Sequence, residues 1–464
     1  MFTTASAQSV FQPLGSHLTL GDVTSRSDIR SIAGNPATPA MRQAEQQNSE
    51  SRAVLSGAAG LEYGNLENVF EFVDEISGGY KPSGGGRPGP DPGIDIGRII
   101  DAIDPNIRPA IDAIRREITT QAGILALIAS EGYGKTWLAA DIPIAWNNEF
   151  LGGTWTTHVG WSGVSKAYGV SVPIDFDVDR AIAELERWIE EANGDLSGEV
   201  ALSDQVSVRV DPASGNTIVL LDNDSSLITK AARLTDVGFG YSRPAWSSPN
   251  GRLYVGIEAR LYLMELSRLS ARLGDITDSE ELFKSIRDAD FRSATDAGLD
   301  IGLLWVGETY QLGAQLTNVN QPTFDFPSVD LAPYRDTALI SFLERDQRYV
   351  MDRQLKLEAS LFGRNRKWAA HLGFDADPAT DAMGDRFQWA TASVALDFES
   401  SWLSNLRFGY RQNLAGTELG YVNAGATAFR HLNIDVASAL DTVRIDGQNL
   451  PQGLMVSLGV QFNW

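Results

Sequence analysis

The last eleven residues of the chain, LMVSLGVQFNW, alternate between apolar side chains and polar or small ones. The side chains on the apolar side are those of Leu454, Val456, Leu458, Val460, Phe462 and Trp464. A period of two residues indicates a β-strand with one apolar face. Two structures contain such a strand: a soluble β-sandwich, and a transmembrane β-barrel whose apolar face meets lipid.

The same alternation recurs through the second half of the chain. It covers residues 253–263, 299–305, 310–316, 355–361, 368–374, 390–398 and 406–410. Strands of about 9–11 residues cross a bilayer, whereas strands of soluble proteins average about 5–6 residues. A soluble sheet must also cover its apolar face, and the chain offers too few amphipathic helices to do so. The pattern therefore favours an all-β membrane protein, an antiparallel transmembrane β-barrel.

The composition agrees with a barrel and excludes several other classes. No apolar run approaches the 18 residues that a membrane-spanning helix needs. The formal charge of −22 argues against a nucleic-acid partner. The chain has no cysteine and only four scattered histidines, and no catalytic triad or carboxylate pair stands out. The sequence thus predicts no enzyme, no metal site and no cofactor.

Counting back from the C-terminus gives sixteen predicted strands. They lie at 53–63, 121–130, 134–146, 151–161, 165–175, 228–243, 251–271, 297–306, 309–319, 353–363, 366–375, 386–399, 402–412, 418–428, 430–440 and 454–464. The segment 121–130 has the weakest pattern, so fourteen strands are the alternative. The fold class is a barrel of 14 to 16 strands with an N-terminal hatch and helical extracellular loops.

The connections between these strands fall into a short and a long class. With the C-terminus placed in the periplasm, the periplasmic turns are short. The long connections lie at 64–120, 176–227, 272–296 and 320–352, with shorter ones at 376–385 and 441–453. Short periplasmic turns and long extracellular loops are typical of outer-membrane barrels. This pattern predicts an integral barrel of the bacterial outer membrane over residues 53–464.

Two of the long loops contain predicted amphipathic helices. The helix at 177–194 has an apolar face made of Ile182, Leu185, Trp188 and Ile189. The helix at 275–290 has an apolar face made of Leu282, Phe283 and Ile286. One interpretation is that both helices pack as lids over the mouth of the barrel. The other is that their apolar faces bind a hydrophobic ligand.

The N-terminal region precedes the first predicted strand. Ala5-Ser6-Ala7 before Gln8 has the form of a signal-peptidase site, so residues 1–7 are interpreted as a signal-peptide remnant. The motif Asn35-Pro36-Ala37, within residues 8–52, resembles the hatch motif of the FadL family of outer-membrane long-chain fatty-acid transporters. That resemblance implies an N-terminal hatch that plugs the barrel.

A longer resemblance covers residues 251–327. The segments YVGIEARLYLMELSR, LFKSIRDAD and LGAQLTNVNQPTFDFP occur in that order. They are similar to the TraF-type outer-membrane barrels, whose members are labelled conjugal transfer proteins. This family is related to the FadL-like barrels.

These resemblances imply a function and an alternative. The first is passive uptake of hydrophobic compounds, either long-chain fatty acids or hydrocarbons, captured at the extracellular loops and admitted by the hatch. Its partners would be a hydrophobic small molecule or lipid, together with outer-membrane lipid and lipopolysaccharide. The alternative is a structural or interaction barrel that serves a conjugal transfer or secretion machinery.

Overall fold

The computed structural model describes residues 13–26, 28–45, 50–64, 132–174, 176–192, 198–210, 217–272, 290–445 and 448–464. Fourteen strands form one closed barrel. They are β1 Arg52–Tyr63, β2 Tyr133–Phe150, β3 Gly153–Val170, β4 Ser226–Ser248, β5 Gly251–Arg272, β6 Arg292–Val306, β7 Tyr310–Thr317, β8 Gln354–Phe362, β9 Trp368–Asp375, β10 Trp389–Asp397, β11 Leu403–Asn413, β12 Gly420–Ala428, β13 Leu432–Ala439 and β14 Gly453–Asn463.

Each strand pairs antiparallel with its neighbours in sequence, and β14 pairs with β1 to close the ring. Leu55 lies opposite Val460 and Gly57 opposite Leu458 in this closing pair. Closure leaves no strand edge exposed, which is what a sheet surrounded by lipid requires. The predicted fold class is confirmed, with fourteen strands.

The sixteen-strand count was wrong at one point that the structure describes. The predicted strands 151–161 and 165–175 are a single strand, β3, which pairs with β4 without interruption from Thr154 to Val170. The turn before β3 is formed by Leu151 and Gly152, both with positive φ. The predicted strand 121–130, all but the last residue of the predicted helix 275–290 and nearly all of the loop 64–120 lie outside the described residues.

The outer face of the barrel is apolar, as the alternation predicts. On β14, Leu454, Val456 and Leu458 are about half exposed, whereas Met455 and Ser457 are buried inside. Exposed aromatic side chains gather at one end, where Trp146 meets Trp464 and Trp246 meets Trp305. Such a ring of aromatic residues is typical of a membrane–water interface. None of the described helices has the length and apolarity to span a membrane.

The two ends of the barrel differ. The end with the aromatic ring carries only short turns, among them 151–152, 249–250 and 307–309. The long connections all leave the opposite end, here called the loop end. That end carries helix α3 Val178–Ala192, which confirms the helix predicted at 177–194, and helix α4 Thr337–Arg345. The three strands Gly198–Ala201, Val206–Val210 and Thr217–Leu221 form a small separate sheet beside α3.

The described N-terminal residues lie against the inner face of the barrel. They form α1 His17–Leu20, a 3₁₀ helix Ile29–Ala33 and α2 Thr38–Glu45. Helix α1 contacts β10 to β13, the 3₁₀ helix contacts β1 and β2, and α2 contacts β3 to β5. Residues 13–45, here called the N-terminal segment, therefore touch strands on opposite sides of the lumen.

Candidate functional site

The Asn35-Pro36-Ala37 turn is attached to the wall of the barrel through Asn35. The Asn35 side-chain amide donates to the backbone carbonyls of Leu303, at 3.1 Å, and Ala314, at 3.3 Å, and to Glu358 Oε1, at 3.1 Å. Its carbonyl oxygen accepts from the Ala37 N–H at 3.0 Å, which closes the turn. Asn35 is therefore a buried side chain whose amide and carbonyl both have partners.

The wall beneath this turn carries no side chains. Gly256 on β5 and Gly302 on β6 lie directly opposite each other in the strand pairing and face the lumen. A Cβ at residue 256 would lie 2.6 Å from the Ala37 nitrogen and would overlap the Pro36 carbonyl. A Cβ at residue 302 would lie 2.8 Å from Pro36 Cδ. Only glycine allows the N-terminal segment to approach this closely.

Further anchors of the N-terminal segment are polar or charged. Arg30 forms a bidentate ion pair with Asp141 on β2, and Lys356 on β8 pairs with Asp22. Burial would raise the pKa of Asp22, but Lys356 holds it well below its usual range. Burial, together with nearby Arg30, lowers the pKa of His17, so this imidazole is neutral at pH 7.

The remaining wall at this level is an ionic network. Arg260 on β5 forms ion pairs with Asp236, Glu258 and Asp300, each with a nitrogen–oxygen distance of 3.2 Å. His158 Nδ1 lies 2.9 Å from a carboxylate oxygen of Asp236.

A second buried cluster surrounds Asp435. Arg407 pairs with Asp435 at 2.8 Å, and Thr19 donates to Asp435 at 2.6 Å. Buried charges of this kind are tolerated because they are paired and hydrogen-bonded.

The lumen becomes apolar on the loop side of the N-terminal segment. This apolar layer contains buried side chains from many strands, from three loops and from α1. Its members include Leu18, Trp137, Leu234, Tyr262, Met264, Leu266, Phe324, Phe326, Tyr349, Met351, Met383, Leu419, Tyr421 and Met455, with Trp389 packed against them. The barrel therefore has an ionic level at the N-terminal segment and an apolar level above it.

Two cavities share one stretch of the wall between β8 and β10. A cavity of about 40 Å³ lies inside, lined in part by Asp22, Val23, Trp389 and Arg411. A groove of about 440 Å³ contains exposed side chains of the outer face; its apolar lining includes Leu357, Leu372 and Phe374. Glu358, Gly373 and Thr391 line both of them. At Gly373 the strand has no side chain of its own, and Thr391 and Val23 pack against its inner side.

The loop residues predicted to bind a ligand are only partly described. On α3, Leu185 is buried, and Ile182 and Trp188 are half-buried. Helix α3 contacts the strand Gly198–Ala201, which lies outside the barrel sheet. The side chains of Ile189, Leu282, Phe283 and Ile286 lie outside the described residues. The structure does not bring the described part of this set to the Asn35 turn.

Reasoning from the sequence missed the residues that receive the Asn35 turn. Gly256, Gly302 and Glu358 come from three strands, and none of them stands out alone. The available signal was the pair of glycines at inward positions of YVGIEAR and LDIGLLW, since a glycine inside a strand often marks a close backbone approach. Within the described residues, no three His, Asp or Glu side chains are arranged to hold a metal ion.

The family described as F plasmid transfer operon, TraF, protein matches residues 32–377. The chain belongs to this family. The resemblance to TraF-type barrels seen over residues 251–327 is thereby confirmed, and the match also includes the Asn35 turn. No curated protein matches the chain.

Solved barrel structures similar to this TraF-family chain include hydrocarbon channels at low identity. One is a TodX deltaS2S3 mutant monoaromatic hydrocarbon channel, with 9% identity, coverage of 97% of this chain and 98% of that one, and a TM-score of 0.45. A Pseudomonas aeruginosa FadL homologue has 11% identity, coverage of 100% and 99%, and a TM-score of 0.35. The Ralstonia pickettii toluene transporter TbuX has 11% identity, coverage of 98% and 99%, and a TM-score of 0.34.

Proposed function

We propose that this barrel lies in the bacterial outer membrane and passes hydrophobic compounds, with the N-terminal segment as its plug. The loop end faces outward in this proposal, because long loops are extracellular in outer-membrane barrels. The solute enters the apolar layer from the loop end and requires movement of the plug to go further. No nucleotide or metal chemistry is needed for this passive route.

The observation that carries the proposal is the shared wall at Gly373. Trp389 packs against the apolar layer and also lines the inner cavity. The cavity in turn meets the outer apolar groove at Gly373, which has no side chain of its own and is packed on its inner side by Thr391 and Val23. In this proposal the solute moves from the apolar layer to the lipid-facing surface at this point of the wall, where β9 and β10 are paired in the structure. An apolar solute that follows this route passes the charged side chains of Asp22, Lys356 and Arg411, which line the cavity, and then leaves sideways.

The proposed route predicts that a larger side chain at Gly373 reduces uptake. A Cβ at Gly373 would lie 2.5 Å from Thr391 Oγ1 and 2.9 Å from Val23 Cγ2, so Gly373→Leu fills the junction of cavity and groove. We expect a strain that lacks its own uptake route to gain uptake of an apolar probe with the natural chain and to lose most of it with Gly373→Leu. Gly57→Leu is the control, because a Cβ at that outward-facing residue lies 3.8 Å from its nearest neighbour.

The two parts of the proposal fail in different ways. If the natural chain, present as an assembled barrel, gives no uptake, the transport function is refuted. If the natural chain gives uptake that Gly373→Leu leaves unchanged, transport stands and the sideways route is refuted.

A second candidate function is a structural or interaction barrel in a transfer or secretion machinery. The observation that favours it is the ionic level of the lumen, where Arg30–Asp141, Arg260–Asp300 and Arg407–Asp435 are all buried ion pairs. Buried ion pairs of this kind would hold a structural barrel rigidly closed. Absence of uptake, combined with loss of plasmid transfer on deletion of the gene, would support this candidate over the first.

A further inference from the structure

Four cations form one row on the inner wall above the apolar layer. Lys135 on β2, Lys166 on β3, Lys230 on β4 and Arg268 on β5 are consecutive Cα partners in the strand pairing. Lys135, Lys230 and Arg268 are each less than a tenth exposed. Like charges directly opposite each other on neighbouring strands are destabilising, so this row requires anions.

The carboxylates that bond the row come from two loops, and Glu62 on β1, the Cα partner of Lys135, adds one from the wall. Lys135 Nζ donates to Asp385 Oδ2 at 2.7 Å and also pairs with Asp381, while Lys166 pairs with Asp385. Lys230 donates to Asp346 at 2.6 Å, and Arg268 donates to the Asp346 carbonyl at 2.9 Å. Burial would raise the pKa of Asp385, but Lys135 and Lys166 hold it well below its usual range. Asp385 is therefore charged.

The loop that supplies Asp381 and Asp385 crosses the lumen. Residues 376–388, here called the strap, connect β9 to β10. In a ring of fourteen strands, β2 and β3 lie seven strands away from β9 and β10, which is the opposite side of the barrel. Ala382 and Met383, at the tip of the strap, are buried in the apolar layer. Gly384, with φ +92°, makes the turn that presents Asp385 to the lysines.

We propose that the strap is a gate over the apolar layer, latched shut by the ion pairs of Lys135 and Lys166 with Asp381 and Asp385. The strap spans the lumen from one side to the other, and its tip contributes Met383 to the layer that it covers. It is a second closure, on the loop side, separate from the N-terminal segment. Asp346 on the neighbouring loop neutralises the rest of the row, so that the latch needs only the two strap carboxylates.

The latch has a direct test because the chain contains no cysteine. A single Leu234→Cys substitution places a thiol in the apolar layer on β4, where the leucine is fully buried. Labelling this thiol with a water-soluble maleimide in the purified, full-length barrel reports opening above it. Ser341→Cys on exposed α4 is the control that must always label rapidly.

The variants break the latch from either side. Lys135→Met with Lys166→Met removes the cations, and Asp381→Asn with Asp385→Asn removes the anions without altering any barrel strand. We expect either pair to speed labelling at residue 234 by roughly tenfold or more, because each removes several charged hydrogen bonds. The variant Asp381→Asn with Asp385→Asn still tests the latch if Lys135→Met with Lys166→Met fails to assemble.

One result would overturn the gate. If Asp381→Asn with Asp385→Asn leaves labelling at residue 234 as slow as in the natural chain, while Ser341→Cys labels normally, the ion pairs do not hold the strap closed. The labelling reports motion of the strap and not transport. The test of the gate is therefore independent of the result of the uptake experiments.

Discussion

The contact between the Asn35 turn and the glycine pair allows a quantitative prediction. In Gly302→Ala, the new methyl group would lie 2.8 Å from Pro36 Cδ and 2.9 Å from the Ala37 nitrogen. Both distances are about half an ångström shorter than ordinary contacts, so the turn must move away from β6. Overpacking of this kind costs about 1–3 kcal/mol. The outer face of the barrel is untouched, so assembly should be normal.

The expected consequence is a larger population of undocked N-terminal segment. A cost of about 1–3 kcal/mol raises that population roughly 5- to 150-fold. Met41→Cys supplies the probe, since Met41 is fully buried where α2 packs against Tyr254 and Leu304. Its rate of maleimide labelling in the purified barrel should rise by that factor in Gly302→Ala.

The matched control for this experiment is Gly57→Ala. Its Cβ would have no neighbour closer than 3.8 Å, so the substitution tests the loss of a strand glycine without a clash. Labelling of Met41→Cys should be unchanged by it. If Gly302→Ala labels no faster than Gly57→Ala, the N-terminal segment is not held against the wall at this point. The steric argument would then be refuted.

Three further predictions follow from single residues. Leu458→Arg should abolish assembly of a heat-modifiable barrel, because an arginine on the lipid face near mid-strand costs about 2–4 kcal/mol; a normal yield would contradict the outward orientation of Leu458. Asn35→Ala should leave assembly intact and speed labelling of Met41→Cys, because it leaves Glu358 without one of its donors; an unchanged rate would argue against the anchor. Burial raises the pKa of Asp352 to about 6, so its cost to stability appears as pH rises from about 4 through 6. Asp352→Asn should therefore raise the thermal midpoint at pH 8 and leave it unchanged at pH 4, as measured by scanning calorimetry.

The identity of the outer face was determined by the sequence alone. Whether a side chain points outward depends only on its position relative to its neighbours in a strand, because the period of two is local. Leu458, Leu372 and Leu312 were therefore placed correctly without knowledge of any partner strand. Helix α3 was predicted for the same reason, since its apolar spacing lies within a short stretch of chain.

The strand count and the contents of the lumen were decided by the tertiary structure. The alternation near residue 163 has the same form whether one strand continues or two strands meet, and only pairing with β2 and β4 makes it one. Lys135 and Asp381 lie 246 residues apart in sequence. The alternation assigns a charged side chain to the polar face of a strand, but it does not show whether that side chain faces water or a buried partner. Which of these charges meet depends on closure of the ring, because closure alone places β2 opposite β9. The glycine pair is set by the register of β5 and β6, and it lies beneath Asn35 because the N-terminal segment docks inside the ring.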